Sequence, residues 1–187
     1  MPAEAAIKQL VTVEEYLEGE LLSEIKHEYL TGQVVAMSGA SDRHGLIAAA
    51  LAVLLYPLAR KRMCQLFIAD MKVRIDERED TYFYYPDLML CCDPNDRESA
   101  YYRRNPCLIV EVTSPSTERI DRREKRLAYR LTPSLREYLI VNQDKQQIDL
   151  YRYPKGEHEA YTENSFWLDC LNAEIAVEDI YADVVLD

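Results

Sequence analysis

PCLIVEVTSPSTERIDRREKRLAY, residues 106–129, is the stretch whose reading decides the fold. Cys107-Leu108-Ile109-Val110 is an apolar run that ends on a carboxylate, Glu111. Leu, Ile and Val bounded by prolines read as a buried strand. Pro115 ends that strand, and Ser116 and Thr117 offer caps for a helix carrying Asp121, Lys125 and Tyr129. Burying a carboxylate in such a run is costly unless it is paired or binds a metal. Glu111 is therefore the residue that the rest of the chain has to explain.

A second misplaced carboxylate lies upstream. Tyr82–Cys92, YFYYPDLMLCC, reads as a strand interrupted at Pro86-Asp87. Proline inside a strand implies an edge, a bulge or a strand start. Asp87 is then the polar residue next to a strongly apolar run. If the two strands are neighbours, Asp87 and Glu111 converge on one cation. Two carboxylates, water and phosphate oxygens make a typical Mg²⁺ environment. Such an ion polarises a phosphodiester. Lys125 is the candidate positive group beside the attacking water, as a point charge or, with a lowered pKa, as a general base. Asp121, Lys125 and Tyr129 recur at i, i+4 and i+8 and share a helix face. Without the preceding strand, Asp121–Lys125 would read as an ordinary surface salt bridge. Six cations (Arg119, Arg122, Arg123, Lys125, Arg126, Arg130) face three acids (Glu118, Asp121, Glu124) along this helix. Such a run attracts phosphates or is a solvated face.

Thr12 and Glu15 have capping-box spacing and predict a helix over Val13–Leu22. Thr31-Gly32 is a tight turn between His27–Leu30 and Gln33–Met37, a β-hairpin. Glu28 lies on its first strand, where local pattern alone makes it a solvent-facing residue. Ser41-Asp42 caps a long helix to about Arg62, with Leu46, Ala49, Ala50, Val53 and Leu54 as its apolar face. His44, in its first turn, reads as a surface or capping residue or as part of a site. Cys64–Ala69 and Met71–Ile75 are strand-like, Asp76–Thr81 is a charged turn, and Asp93–Asn105 is a polar loop with exposed Arg103 and Arg104. After the helix over Thr117–Leu131 come strands at Arg136–Val141 and Gln147–Tyr153. The tail holds strands near Trp167–Leu171 and Ala173–Ala176 and a short helix near Val177–Tyr181.

One domain spanning residues 1–187 is expected. The net charge of −11 argues against a protein that binds nucleic acid over its whole surface, and leaves room for a local basic groove or a carboxylate cluster neutralised by a divalent cation. The five cysteines are odd in number and contain no CxxC, so reduced, buried thiols, a cytoplasmic setting and no zinc site are expected. No apolar stretch follows a basic N-terminal region, so no signal peptide is expected. The apolar run Leu46–Ala59 falls short of the roughly 20 residues of a membrane span and reads as a core helix.

Taken in order, Pro86-Asp87, Glu111-Val-Thr-Ser-Pro-Ser-Thr and Asp121-x-x-x-Lys125-x-x-x-Tyr129 resemble the PD-(D/E)XK nuclease superfamily. The chain is similar, more closely, to the Uma-two family of restriction endonuclease-like proteins, from about Thr12 to Tyr181. His27-Glu28-Tyr29-Leu30-Thr31-Gly32 resembles that family's N-terminal hairpin. The resemblance implies an α/β restriction-endonuclease-like sandwich, with a mixed central sheet flanked by helices. It implies a divalent metal, Mg²⁺ or Mn²⁺, with Asp87 and Glu111 as ligands, Glu28 as a further carboxylate and Lys125 as the catalytic lysine. DNA is the implied substrate, and a homodimer is suggested by analogy with restriction enzymes. The superfamily's usual lysine position, two residues after the acidic strand residue, is Thr113 here, so Lys125 has to supply the charge from the helix. Two other readings compete with the endonuclease. One is a catalytically inactive module of the same fold that binds nucleic acid or a protein partner. The other is an oligomeric structural protein in which Asp87 and Glu111 each have an Arg or Lys partner.

Overall fold

The structure, a computed structural model, describes residues 10–37, 39–114 and 117–186. It begins with helix α1 (Val13–Leu22), whose capping box forms: Glu15 N–H donates to the Thr12 hydroxyl and Thr12 N–H to the Glu15 carboxylate. Strands β1 (His27–Leu30) and β2 (Gln33–Ala36) follow, then the long helix α2 (Asp42–Lys61). Next come β3 (Gln65–Ile68), β4 (Lys72–Glu77), β5 (Asp80–Tyr84), β6 (Leu88–Cys91), β7 (Tyr102–Arg103) and β8 (Pro106–Thr113). A π-helical segment, Ile120–Lys125, runs into α3 (Arg126–Tyr129). The chain closes with β9 (Glu137–Asn142), β10 (Ile148–Arg152), β11 (Glu157–Tyr161), β12 (Ser165–Leu168), β13 (Ala173–Ala176) and α4 (Val177–Tyr181). Ser116, one of the two expected caps, lies outside the described residues.

Two larger sheets carry the fold. One has the order β2-β1-β5-β4-β7 and the other β11-β10-β9-β8-β6-β3, with a separate β12-β13 pair. Both are mixed, because β4 pairs β7 in parallel and β8 pairs β9 in parallel across the helical connection. The result is the expected α/β sandwich of mixed sheets flanked by helices. What looked like one interrupted strand at Tyr82–Cys92 is two strands in different sheets. The chain passes from β5 in one sheet to β6 in the other at Tyr85-Pro86-Asp87. Proline lacks the N–H that a continued ladder would need, so the pairing ends there.

Strand β8 is buried throughout, and its side chains alternate between two cores. Leu108, Val110 and Val112 meet Ile47, Leu51, Leu55 and Ala59 of α2. Ile109 faces the other way, into a core with Val73, Ile75, Tyr84, Tyr129 and Tyr138. Period-two alternation puts Glu111 on that second face. A third cluster, Tyr16, Tyr29, Phe83 and Tyr102, seats α1 on the five-stranded sheet.

Several expectations need correction. The buried stripe of α2 is Ile47, Leu51, Leu55 and Ala59, whereas Leu46 and Val53 are exposed. The helix is apolar almost all round, and so periodicity does not select the face that meets the sheet. By length and composition alone it would also cross a membrane. Asp76–Thr81 is largely β-paired, with Asp76 opposite Thr81 and only Arg78-Glu79 at the turn. Arg103 is buried, donating to the carbonyls of Ser99 and Tyr102 and covering the Phe67 ring, while Arg104 is held by Asp76 and Glu98. Neither arginine is a loose surface cation. Cys64 and Cys92 form a disulfide, so these two are not reduced thiols. The register explains it: Gln65 of β3 opposes Cys91 of β6, which sets Cys64 against Cys92.

Candidate active site

Asp87 and Glu111 meet because β6 and β8 are antiparallel neighbours. Leu88 pairs with Val110, and the same register carried one residue further brings Asp87 beside Glu111. Asp87 has both oxygens engaged: Oδ2 accepts the Val112 N–H at 2.7 Å, and Oδ1 lies 2.9 Å from His44 Nε2. His44 reaches it from the first turn of α2, where Ser41 caps the helix by accepting the His44 N–H. The histidine is thus a site residue as well as a first-turn residue. Hydrogen bonding to Asp87 raises its pKa above the ordinary value, with burial opposing.

Glu111 is held from the helical connection. Tyr129 donates its hydroxyl to Glu111 Oε1 at 2.6 Å, and Lys125 Nζ lies 3.2 Å from the same oxygen. The ammonium also stands 2.9 Å from Glu28 Oε1 and 3.5 Å from Asp121 Oδ1. Glu28 Oε1 is buried and makes no aligned hydrogen bond, so its attraction to Lys125 is chiefly coulombic. Glu28 is therefore not the solvent-facing residue that local pattern implied. The Asp121–Lys125 pair is buried, not a surface bridge. The Tyr84 ring covers the lysine from a further side, 5.7 Å from its Nζ.

The connection after β8 is π-helical where it carries these residues, with Asp121 and Lys125 both turned inward. Tyr138 fixes this turn by donating its hydroxyl to the Asp121 carbonyl at 3.1 Å. On the outer side, Arg122 is tied to Glu118 and Asp149, and Arg126 lies over the Tyr151 ring. Arg119, Arg123 and Arg130 are exposed, so only part of the basic run faces solvent.

Charge is unbalanced inside the site. Glu28, Glu111 and Asp121 surround one ammonium, and Asp87, paired with His44, adds a fourth carboxylate beside Glu111. Burial pushes the Glu111 carboxyl well above its usual range; Lys125 pulls it back, while Asp121 and Asp87 add to the rise. Asp121 is raised for the same first reason, burial. Burial pulls Lys125 down, but Glu111, Glu28 and Asp121 outweigh it and hold its pKa well above the ordinary lysine value. A lysine held in that way favours the point-charge role over the general base.

The donor chemistry fits a hard divalent cation in its two-carboxylate form. Asp87 and Glu111 sit side by side, an excess of negative charge surrounds them, and a buried Glu28 oxygen lacks an aligned donor. Among the described residues no three of His, Cys, Asp and Glu form a ready ligand cage. Mg²⁺ commonly uses one or two carboxylates and takes the rest of its shell from water and substrate phosphates. Among the described residues Asp87 has His44, not Arg or Lys, as its ionic partner. The structural-protein reading required an arginine or lysine there.

Sequence reasoning named Glu28, Asp87, Glu111 and Lys125, and the structure places Glu28, Glu111 and Lys125 in contact and Asp87 beside Glu111. It missed the Val112 N–H as the group that orients Asp87, for which no side-chain pattern exists. It also missed the π-helical winding. Tyr129 carried a signal in its i+4 spacing from Lys125, but no role.

Comparison with known proteins places these features in a family. Residues 13–178 match the sequence model of the Uma2 family, described as "Putative restriction endonuclease". The chain is 40% identical over 138 residues to "Uncharacterized protein slr1290" of Synechocystis sp. (strain ATCC 27184 / PCC 6803 / Kazusa), covering 74% of this chain and 72% of that protein. It is 32% identical over 149 residues to "Uncharacterized protein sll1609" of the same strain, covering 79% and 83%. The fold is similar to the crystal structure of "a putative nuclease belonging to DUF820" from Anabaena variabilis ATCC 29413, with a TM-score of 0.73. At 17% identity, over 92% of this chain and 98% of that one, this likeness concerns the fold alone. The extent of the family match and the 40% identity to a relative covered over most of its length lead to one conclusion: the chain belongs to the Uma2 family.

Proposed function

We propose that the protein is a metal-dependent endonuclease that hydrolyses DNA phosphodiester bonds, with Mg²⁺ or Mn²⁺ held by Asp87 and Glu111. The observation that supports it most is the reach of Lys125 to 3.2 Å from Glu111. The helical connection delivers there the positive charge that Thr113, on the strand, lacks. A divalent cation supplies Lewis-acid polarisation of a phosphoryl oxygen in such a site.

The chain's own groups do the positioning. The Val112 N–H and His44 fix the Asp87 carboxylate, and the Tyr129 hydroxyl fixes that of Glu111. Lys125 stays protonated and presents a point charge where negative charge develops on the phosphate oxygens. Glu28 and Asp121 hold that ammonium in place. Arg119, Arg123 and Arg130, exposed along the connection, supply phosphate contacts outside the site.

The test is nicking of supercoiled plasmid with Mg²⁺ and with Mn²⁺. Cleavage is expected with either ion and is lost with chelator or in Glu111→Gln. Cleavage that persists in Glu111→Gln would sink the mechanism. One observation favours a second reading, a catalytically inactive module that binds nucleic acid or a protein partner: Lys125 is already engaged by three carboxylates. That reading expects no cleavage with any divalent ion.

A further inference from the structure

At the far end of β8 from Glu111, four sulfurs gather in sequence. Cys64 and Cys92 are bonded. The Cys107 sulfur lies 3.3 Å from that of Cys92. Cys170 donates its thiol to the Cys107 carbonyl at 2.8 Å, and the Cys107 thiol donates to the Leu90 carbonyl at 3.4 Å. These four cysteines come from the start of β3, the end of β6, the start of β8 and the segment after β12, so the sheet order itself assembles them. All four line a cleft of about 1240 Å³. Exposed Lys61, Arg62, Arg130 and Arg136 line the same cleft, against Asp93 and Asp169. Cys107 and Glu111 are four residues apart on one strand, roughly 13 Å at about 3.3 Å per residue. The cluster is separate from the carboxylates and does not depend on the proposed nuclease activity.

We propose that Cys64, Cys92, Cys107 and Cys170 form a thiol–disulfide exchange site that reacts with small anionic thiols entering the cationic cleft. Cys92 is the half-buried member of the disulfide, and Cys64 is buried. An incoming thiolate attacks the Cys92 sulfur. The Cys64–Cys92 bond breaks, a mixed disulfide forms on Cys92, and Cys64 leaves as a thiolate. Cys107, already in contact with the Cys92 sulfur, then attacks that sulfur and expels the small thiolate. Its proton passes to Cys64. The net change moves the bond from Cys64–Cys92 to Cys92–Cys107, with no oxidant or reductant consumed. Attack by a second small thiolate and then a third on the new bond yields the protein dithiol and the small-molecule disulfide. Cys107 is placed for the resolving role: its sulfur lies 3.3 Å from that of Cys92, and exposed Arg136 lines the same cleft beside it.

The test uses the oxidised full-length protein and glutathione, an anionic tripeptide thiol, with cationic cysteamine at equal thiolate concentration as the control. After acid quench and alkylation, a non-reducing digest is mapped by mass spectrometry. The expected products are a glutathione adduct on Cys92, a Cys92–Cys107 linkage and alkylated Cys64. Glutathione should react about tenfold faster than cysteamine, as field focusing in a charged cleft produces. Equal rates overturn the anionic preference. Recovery of Cys64–Cys92 alone, with Cys107 never exchanged, overturns the site and leaves a structural disulfide. One equivalent of Zn²⁺ with four reduced cysteines overturns it in favour of a metal site. In Cys107→Ser the Cys92 adduct should accumulate several-fold above wild type, and an unchanged level overturns the resolving role. The wild-type map decides the exchange site even where that variant fails to fold.

Discussion

Lys125 Nζ lies 3.2 Å from Glu111 Oε1, although the two residues reach that point from different elements, one helical and one in a strand. Their pairing sets the balance of the site. Removing the cation leaves Glu111 and Asp121 buried without it. Lys125→Met should therefore lose about 3–5 kcal/mol of stability in chelator at pH 7, as for any broken buried pair. Urea denaturation measures the loss. Under the metal reading, Mn²⁺ restores part of it, and no cleavage returns.

Glu111→Gln acts in the opposite sense. The folded-state pKa of Glu111 is raised, so its favourable contribution is present at low pH and is lost as pH rises through the folded value. The variant should gain on wild type as pH increases and lie within about 1 kcal/mol of it near neutrality. Denaturation from pH 5 to pH 9 in chelator checks the sign. Mn²⁺ affinity, read by calorimetry, should fall at least tenfold, with ~10–100-fold as the scale for even an outer partner of a metal ligand.

His44 holds Asp87 without replacing it, and so acts as a positioning residue. In His44→Ala, Mn²⁺ affinity and plasmid nicking should both drop about 10–100-fold. His44→Asn, which keeps a donor, should recover part of each. Unchanged Mn²⁺ affinity in His44→Ala would show that Asp87 is oriented by Val112 alone.

Asp149 offers a stability test outside the site. Burial pushes its carboxyl up, but hydrogen bonds from Arg122 and His158 outweigh burial and hold it below the ordinary 3.8. Its contribution is present above that value and is lost as pH falls through the folded one. Asp149→Asn should cost roughly 1.5–3 kcal/mol at pH 7. The difference from wild type should narrow under acid, as read from paired denaturation curves.

Gly32 tests the hairpin that presents Glu28. Thr31 and Gly32 both have positive φ, +50° and +89°, as a two-residue type I′ turn requires. A Cβ on Gly32 would stand 2.9 Å from the Leu10 Cβ. Gly32→Ala should therefore cost about 1–2 kcal/mol, the scale for a left-handed residue, plus the displacement of Leu10. Thermal unfolding measures it.

Much of the fold was legible where local chemistry decides it. The capping box at Thr12 and Glu15, the Thr31-Gly32 turn and the apolar run into Glu111 all predict their elements. Asp87 and Glu111 were legible as carboxylates in the wrong place and Lys125 as a lysine at helical spacing from Asp121, whereas Glu28 read locally as solvent-facing and was named only through the family resemblance. What was not legible depends on long-range pairing. Nothing local reveals that Pro86-Asp87 passes the chain between sheets, or that Gln65 opposes Cys91 and so joins Cys64 to Cys92. His44 looked like a helix-start residue because its partner lies 43 positions away. Strands β7 and β11 escaped notice because they are short or polar, and their pairing comes from the neighbours they meet.

The passage of the chain at Pro86-Asp87 bears on how the two sheets are held together. Asp87 borders the six-stranded sheet, whereas Glu28 stands in the other, so neither sheet alone contains the whole carboxylate set. Strand β8 and the helical connection after it carry Glu111, Asp121 and Lys125, the lysine and half of the four acids. Glu28 reaches that lysine at 2.9 Å from the opposite sheet. The ion pair is thus a clasp between the two sheets, and any change that loosens their packing also parts the carboxylates.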